Sequence, residues 1–248
     1  RLDVEVRERL GQPRGDELVA RGVGLGVGGR RARQQRRAGA QPVDRPATPG
    51  ETVIDGAGGT LVPGMYEMHA HLGESGALLN LLAGVTSVRD MGNSNTVLDA
   101  LDKKIMGGEV AGPRIVRMGF IEGKSPFNST NGFVIDSESR AVEAVRWYAA
   151  RGYAGIKIYN SIDPKWVPAM VAEARATGMK VMGHVPAFTT ADAMIAAGYD
   201  EMTHINQLSL GWIIKPGEDT RTLFRLTALG RLPTLDLNSA AVGATLDT

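Results

Sequence analysis

The feature that most constrains this chain is an alternation of short apolar segments with amphipathic segments, which runs from Thr52 onward. Strand–helix alternation at roughly 20–30 residues per unit predicts a parallel sheet of βαβ units. The chain has 248 residues, 43% of them hydrophobic, which suits one α/β barrel domain. The strands are predicted at Thr60–Val62, Met65–Ala70, Thr86–Arg89, Arg114–Met118, Ile156–Tyr159, Val181–Val185 and Glu201–Ile205.

Three helix starts are marked by local sequence. Ser137 and Thr190 are each predicted to cap a helix, because short polar side chains accept hydrogen bonds from the first N–H groups of a helix. Asp163 precedes a proline, which favours the first helical turn. Gly198 is predicted to end the helix that Thr190 starts, because glycine readily adopts the left-handed conformation found at helix C-termini.

Composition excludes several classes of protein. The net charge of +1 gives no global attraction to nucleic acid or to an anionic membrane. The absence of cysteine excludes disulfides, thiolate metal sites and a cysteine nucleophile. No apolar run reaches the roughly 18 residues of a membrane span. The compartment stays open between the cytoplasm and, if a signal peptide has been removed, the periplasm or the cell exterior.

The chain has four histidines, each at or near the C-terminal end of a predicted strand. His69 and His71 form a His-x-His pair, and strand residues two apart project to the same face, so both imidazoles can converge on one ion. His184 and His204 close two later apolar segments. The C-terminal ends of parallel barrel strands meet where the active sites of such barrels lie. The histidines therefore predict a metal site.

Lys157 lies between two isoleucines, which must point to the opposite face of the predicted strand. An ammonium group inside a barrel is costly unless it is paired or neutralised. Two predicted strands fit between His71 and Lys157, and about one βα unit separates Lys157 from His184 and His184 from His204. This rhythm assigns Lys157 to the same end of the barrel as the histidines.

Five ordered motifs around these residues resemble the metal-dependent amidohydrolase superfamily, over about residues 52–235. The branch that the chain resembles is that of the imidazolonepropionase-like enzymes, including those that cleave Xaa-Pro dipeptides. The resemblance implies an incomplete (β/α)8 TIM-like barrel with about six of the eight strands. The motifs are Val53–Gly56 with Leu61–Met65 and His69–His71, Gly84–Asp90, Gly155–Tyr159, Gly183–Pro186 and Thr203–Asn206.

The resemblance also implies metal ligands. His69 and His71 would hold one divalent ion and His184 and His204 a second, with Lys157 carboxylated by carbon dioxide as a bridge. A carbamate is an anion and removes the problem of the buried ammonium. Zinc is the expected metal for these ligands, with manganese, cobalt or iron as alternatives. Sites with one ion and with two ions both stay open.

The implied activity is hydrolysis of a C–N bond in an amide, a cyclic amide or a dipeptide by a metal-activated water. The partner is then a small-molecule substrate, and Tyr159 is a candidate to bind its carboxylate, with the polar loop Gly123–Gly132 as a second candidate. The family's proton-shuttling aspartate on strand 8 has no counterpart in this sequence, because Asp236 comes about one βα unit too early. The catalytic residue therefore stays unknown.

The chain departs from the family at its start. Residues 1–51 contain eleven arginines and no lysine and are predicted to be a remnant of a small β-sandwich or poorly ordered, ahead of a C-terminally truncated barrel over residues 52–248. Glu67 replaces an aspartate that usually precedes the His-x-His pair and is expected to alter a contact around the ligands only. Arg89 and Asp90 are predicted to form a structural ion pair.

We expect the chain to be a fragment of a longer hydrolase, because an open barrel leaves two strand edges unpaired. Expressed alone, it is expected to be insoluble, oligomeric or inactive. A catalytically inactive metal-binding protein is one alternative, since the strand-8 aspartate is missing. The cluster Arg30–Arg37 raises a second alternative, a nucleic-acid-binding module, but no aromatic residue stands among these arginines to stack on bases.

Overall fold

The structure, a computed structural model, describes residues 17–20, 49, 52–55, 60 and 62–247. Contacts along the chain divide it into two units, residues 1–64 and 65–248. In the first unit, strand β1 (Glu17–Ala20) pairs antiparallel with strand β2 (Thr52–Asp55). The strand predicted at Thr60–Val62 is wrong, since both of its end residues lie outside any strand. The arginine cluster of the N-terminal segment lies outside the described residues.

The second unit alternates strands with helices. Two 3-10 turns cover Pro164–Trp166 and Ala228–Thr234. The elements are β3 (Met65–Ala70), α1 (Glu74–Leu82), β4 (Val85–Asp90), α2 (Asn95–Gly107), β5 (Arg114–Gly123), β6 (Phe133–Ile135), α3 (Glu138–Ala150), β7 (Gly155–Ile158), α4 (Val167–Ala176), β8 (Lys180–Gly183), α5 (Ala191–Ala197), β9 (Glu201–Met202), α6 (Ile205–Ile213), α7 (Phe224–Thr227) and α8 (Ala240–Leu246).

Six of these strands form one parallel path in the order β3-β4-β5-β7-β8-β9, and β6 pairs with the end of β5. The sheet curls into part of a barrel, which confirms the predicted α/β fold with an incomplete TIM-like barrel. Within the described residues, β3 pairs only with β4, and β9 only with β8. The open edges expected of such a sheet are therefore present in this part of the chain.

Most strand predictions place the strand correctly and misjudge its ends. The strand from Arg114 continues to Gly123, and β6 was not predicted. The strand predicted at Glu201–Ile205 stops at Met202, because His204 takes a positive φ of 66° and α6 starts directly after it. Residues 205–247 contain helices and turns and no strand.

The predicted helix caps are confirmed. The side chains of Ser137, Asp163 and Thr190 each accept a backbone N–H two or three residues further on. Gly198 ends α5 in the left-handed region, with φ of 103°. No helix among the described residues is long and apolar enough to cross a bilayer.

The hydrophobic core lies between the sheet and helices α2 to α5, with the ring of Tyr148 fully buried within it. A smaller cluster of Met91, Met118 and Met182 lies apart from this core. Met118 lies on β5, Met182 lies on β8 and Met91 directly follows β4. Because alternate residues of a strand project to the same face, the positions of Met118 and Met182 assign this cluster to the inner face of the curled sheet. The sheet is therefore packed on both faces.

An ion pair connects strand β4 with strand β9, the last strand of the sheet. Arg89 on β4 donates from both terminal nitrogens to the carboxylate of Glu201 on β9, at 2.6 Å each, and from Nε to the carbonyl of Met68 on β3. The predicted pairing of Arg89 with Asp90 is wrong, because adjacent strand residues project to opposite faces of a sheet. Arg89 thus stabilises the curled shape of the sheet, while Asp90 forms hydrogen bonds with other residues.

Replacing Gly119 with alanine tests the packing of the core. A Cβ at this position on β5 would overlap the Tyr148 ring, whose hydroxyl is held by hydrogen bonds to Asn95 and to the Phe120 carbonyl. We expect Gly119→Ala to lower the free energy of unfolding by about 1–3 kcal/mol, measured by urea denaturation.

The matched control is Gly107→Ala at the end of α2, where a Cβ meets only the end of the Glu109 side chain at 3.5 Å. Alanine stabilises a helix relative to glycine by about 0.5–1 kcal/mol, so this variant is expected to be as stable as the parent or more stable. Equal stabilities for the two variants would contradict the described packing.

Candidate functional site

The structure brings all four histidines and Lys157 together. The ring centroids of His69 and His71 are 5.5 Å apart, those of His69 and His204 4.5 Å, and those of His184 and His204 4.8 Å. The Nζ atom of Lys157 lies 3.1 Å from Nε2 of His69. The five side chains come from four strands of the sheet and form one cluster at the C-terminal ends of those strands.

Two of the imidazoles are oriented by hydrogen bonds at Nδ1. Nδ1 of His71 donates to the carbonyl oxygen of Gly92, and Nδ1 of His184 is bonded to Oδ1 of Asn160. Nε2 of His184 is buried and has no hydrogen-bond partner among the described residues. A buried nitrogen without a partner is uncommon in proteins, and histidines that bind metals are usually held in this way through their other nitrogen.

Lys157 is buried without a counter-ion. Only 1% of the residue is exposed, and within residues 62–247 its amine meets an imidazole nitrogen and no carboxylate pairs with it. Burial lowers the pKa of Lys157 to about 8; the nearby charge of Asp90 opposes this shift, and that of Arg89 adds to it.

The histidines of the cluster are held in the neutral form. Burial, followed by the charge of Lys157, lowers the pKa of His69 to about 4 and that of His184 to about 2. The same causes lower the pKa of His204. At neutral pH these imidazoles therefore keep a free lone pair, which is the form that binds metals.

The donor atoms are of a kind that divalent metals bind, but their arrangement in the described part of the chain is not that of a metal-binding site. Imidazole nitrogens are common ligands of zinc and of neighbouring transition metals. Within the part of the chain that the structure describes, however, no group of three or more His, Asp or Glu side chains is placed to hold an ion. The amine of Lys157, a cation when protonated, lies against one of the expected ligands. The metal ligands His69, His71, Lys157, His184 and His204 thus stay a prediction.

Tyr159 lies beside the cluster. Its ring centroid is 4.1 Å from that of His184 and 4.8 Å from that of Phe120. This position is compatible with the predicted contact to substrate, which stays a prediction. The carboxylate of Glu67 accepts the backbone N–H of His69 at 2.7 Å, so it supports the strand at this histidine.

Two buried carboxylates hold the loops around the cluster. Asp90 accepts the backbone N–H groups of Leu72 and Gly92. Glu122 accepts those of Gly123, Ser129 and Ser161 and so ties the loop after β5 to the loop after β7. Burial is the main cause that raises the pKa of Glu122, against these three hydrogen bonds. The partner predicted for Asp90 from the sequence was wrong, and no role was predicted for Glu122.

A cavity of about 480 Å³ lies next to the cluster. Asn160, the hydrogen-bond partner of His184, forms part of its wall, together with Phe188 and Arg221. The guanidinium of Arg221 lies 5.1 Å from the Phe188 ring and pairs with Asp219. Phe188 has a positive φ of 65°, which is uncommon outside glycine and is found more often at functional sites. Sequence patterns gave no signal for Phe188 or Arg221.

Comparison with solved structures identifies the fold. A bottromycin amidohydrolase matches with a TM-score of 0.56 at 19% identity, over 89% of this chain and 44% of that protein. A second amidohydrolase matches with a TM-score of 0.50 at 19% identity, over 82% and 64%. A Xaa-Pro dipeptidase with bound methionine matches with a TM-score of 0.46 at 25% identity, over 58% and 48%.

The chain therefore has an amidohydrolase-like fold, as predicted. It spans less than two thirds of the length of each of these proteins. No family model matches the sequence, and no curated protein matches it. At identities this low the comparison establishes the fold, and the activity has to be argued from the site.

The neutral state of His184 predicts how stability depends on pH. In the unfolded chain this histidine takes up a proton below its ordinary pKa of 6.5, whereas in the folded state it does so only below about 2. Unfolding therefore binds a proton as the pH falls below 6.5, and the folded state loses stability there. Between about pH 7 and about pH 5 the loss from this group is about 2 kcal/mol.

We expect the free energy of unfolding of the protein with chelator, measured in urea at both pH values, to fall by about 2 kcal/mol less in His184→Asn than in the parent. Both proteins keep the contribution of His69, so the comparison isolates His184. The same pH dependence in both would show that His184 is not buried in the neutral form.

Proposed function

We propose that this protein is a metal-dependent hydrolase of C–N bonds in amides, cyclic amides or dipeptides. The observation that carries the proposal is the convergence of four imidazoles and one buried lysine at the C-terminal ends of four parallel strands. In barrels of this type, that end of the strands is where substrates bind and react. The amidohydrolase-like fold supports the same class of reaction.

His69, His71, His184 and His204 would supply the nitrogen ligands. The hydrogen bonds at Nδ1 of His71 and His184 orient those rings, and the carbonyl partner of His71 leaves Nε2 of that ring as the nitrogen with the lone pair. When bound, one or two divalent ions, with zinc as the expected metal, would lower the pKa of a water molecule and polarise the substrate carbonyl.

Lys157 would join the ligand set as a carbamate. Its amine is buried against His69 and forms no ion pair with a carboxylate in the described part of the chain. The ammonium group first releases one proton, and addition of carbon dioxide to the resulting neutral amine forms an N–C bond and releases a second proton, so a cation becomes an anion. The change removes the repulsion between the lysine and bound metal and supplies oxygen ligands, which suit divalent ions.

The cavity bounded by Asn160, Phe188 and Arg221 would hold the part of the substrate away from the scissile bond. Its volume of about 480 Å³ is within the range of small-molecule sites. Phe188 offers an aromatic surface, and Tyr159, whose ring centroid lies 4.1 Å from that of His184, would bind a carboxylate of the substrate.

The proposal predicts that hydrolysis and metal content depend on Lys157. The chain, loaded with zinc, manganese or cobalt in bicarbonate buffer, is assayed against a panel of dipeptides, N-acyl amino acids and lactams. Lys157→Met should lose more than about 100-fold in activity and most of its bound metal. Carbon-13 NMR with labelled bicarbonate should show a carbamate signal in the parent and none in the variant.

The control is Lys180→Met. Lys180 begins β8, and its largely exposed side chain forms a surface ion pair with Asp200, so its loss should leave metal and activity unchanged. Activity that survives both chelation and Lys157→Met would contradict the proposal. Stoichiometric metal without hydrolysis of any substrate would favour the alternative of a metal-binding protein without activity.

A further inference from the structure

Asp90 ends strand β4 and is completely buried. Oδ2 accepts the backbone N–H of Leu72 at 2.7 Å and Nδ2 of Asn93 at 3.1 Å, while Oδ1 accepts the backbone N–H of Gly92 at 3.0 Å. In each of these contacts an N–H group donates to the carboxylate of Asp90. The side chain is therefore an acceptor that fixes two separate backbone segments at once.

Both of those segments meet at His71. Leu72 directly follows His71, and the carbonyl of Gly92 accepts the hydrogen bond from Nδ1 of the His71 ring. The amide of Asn93 adds a further link, because Nδ2 also donates to the carbonyl of Leu72. Asp90 thus fixes the backbone that follows the histidine and the residue whose carbonyl oxygen orients the ring.

The Gly92 carbonyl also selects the tautomer of His71. A carbonyl oxygen accepts hydrogen bonds and cannot donate them, so the ring nitrogen that faces it must carry the hydrogen. Nδ1 of neutral His71 is then protonated, and Nε2 carries the lone pair. His184 is less strictly determined, because its partner is a side-chain amide, which presents either an oxygen or an NH2 group.

We propose that Asp90 is a positioning residue that locks His71 in the Nδ1–H tautomer. Its value for catalysis rests on the proposed function, since only that tautomer presents Nε2 of His71 as a ligand. The hydrogen bonds that fix this tautomer form without metal or substrate. The tautomer can therefore be measured in the metal-free chain, and a failure of this inference is distinguishable from a failure of the proposed hydrolase.

Asp90→Asn is the informative substitution. An amide has one acceptor oxygen, and both carboxylate oxygens of Asp90 face N–H donors. In either orientation the new NH2 group meets a donor, so one of the two backbone segments is released. A milder variant, Asn93→Ala, removes the side-chain links to Asp90 and to the Leu72 carbonyl and leaves the carboxylate intact.

The experiment is a long-range proton–nitrogen NMR correlation of the full chain, labelled with nitrogen-15 histidine, in chelator at about pH 8.5, where an ordinary imidazole is neutral. The four histidines give four ring patterns, assigned with single His→Asn variants. The parent is expected to show His71 with the hydrogen on Nδ1. Asp90→Asn should lose this pattern, with the two nitrogen shifts of His71 moving towards each other as the tautomers mix.

The control is Asp99→Asn. Asp99 on α2 also accepts hydrogen bonds, from Arg117 and Tyr153, and within residues 62–247 none of its hydrogen bonds involves a histidine, so its loss should leave the His71 pattern unchanged. If Asp90→Asn does not fold, Asn93→Ala should show the same change to a smaller extent. The inference is overturned if His71 in the parent carries its hydrogen on Nε2, or if a folded Asp90→Asn protein keeps the parental pattern.

Discussion

The buried amine of Lys157 is the constraint on which the site depends. It projects from β7 into a group of imidazoles, with 1% of the residue exposed and no ion pair to a carboxylate within residues 62–247. A buried ammonium in this setting is expensive, and it repels any proton or metal on the neighbouring rings. Burial of the imidazoles themselves, followed by the charge of Lys157, lowers the pKa of His69 and of His184 and keeps both rings neutral. Conversion of the amine into an anion would turn the same arrangement into a set of metal ligands.

The surrounding hydrogen bonds hold this cluster in place. Arg89 joins β4 to β9 and keeps the sheet curled, which brings the strand ends close enough for the histidines to meet. Asp90 and Glu122 fix the loops that follow the strands. Each of these charged groups is satisfied by several partners, which offsets the cost of burying it. Nε2 of His184, which is buried without a partner among the described residues, belongs to one of the proposed metal ligands.

Much of this arrangement could be predicted from sequence, because the strands and the histidines follow a regular spacing. The positions of β3, of the caps at Ser137 and Thr190, and of all five clustered side chains follow from local patterns. The partners of Arg89 and Asp90 could not be predicted, since they depend on which strands the curl brings together. The end of β9 was misjudged because the backbone of His204 departs from an extended conformation, and nothing in the apolar pattern signals that change.

A crystal structure of the zinc-loaded protein, with anomalous diffraction recorded at the zinc edge, tests the central claim most directly. The account predicts one or two anomalous peaks bounded by the imidazoles of His69, His71, His184 and His204, with added density on Nζ of Lys157. A structure in which these side chains lie apart, or in which zinc binds elsewhere and leaves the amine of Lys157 unmodified, would contradict it.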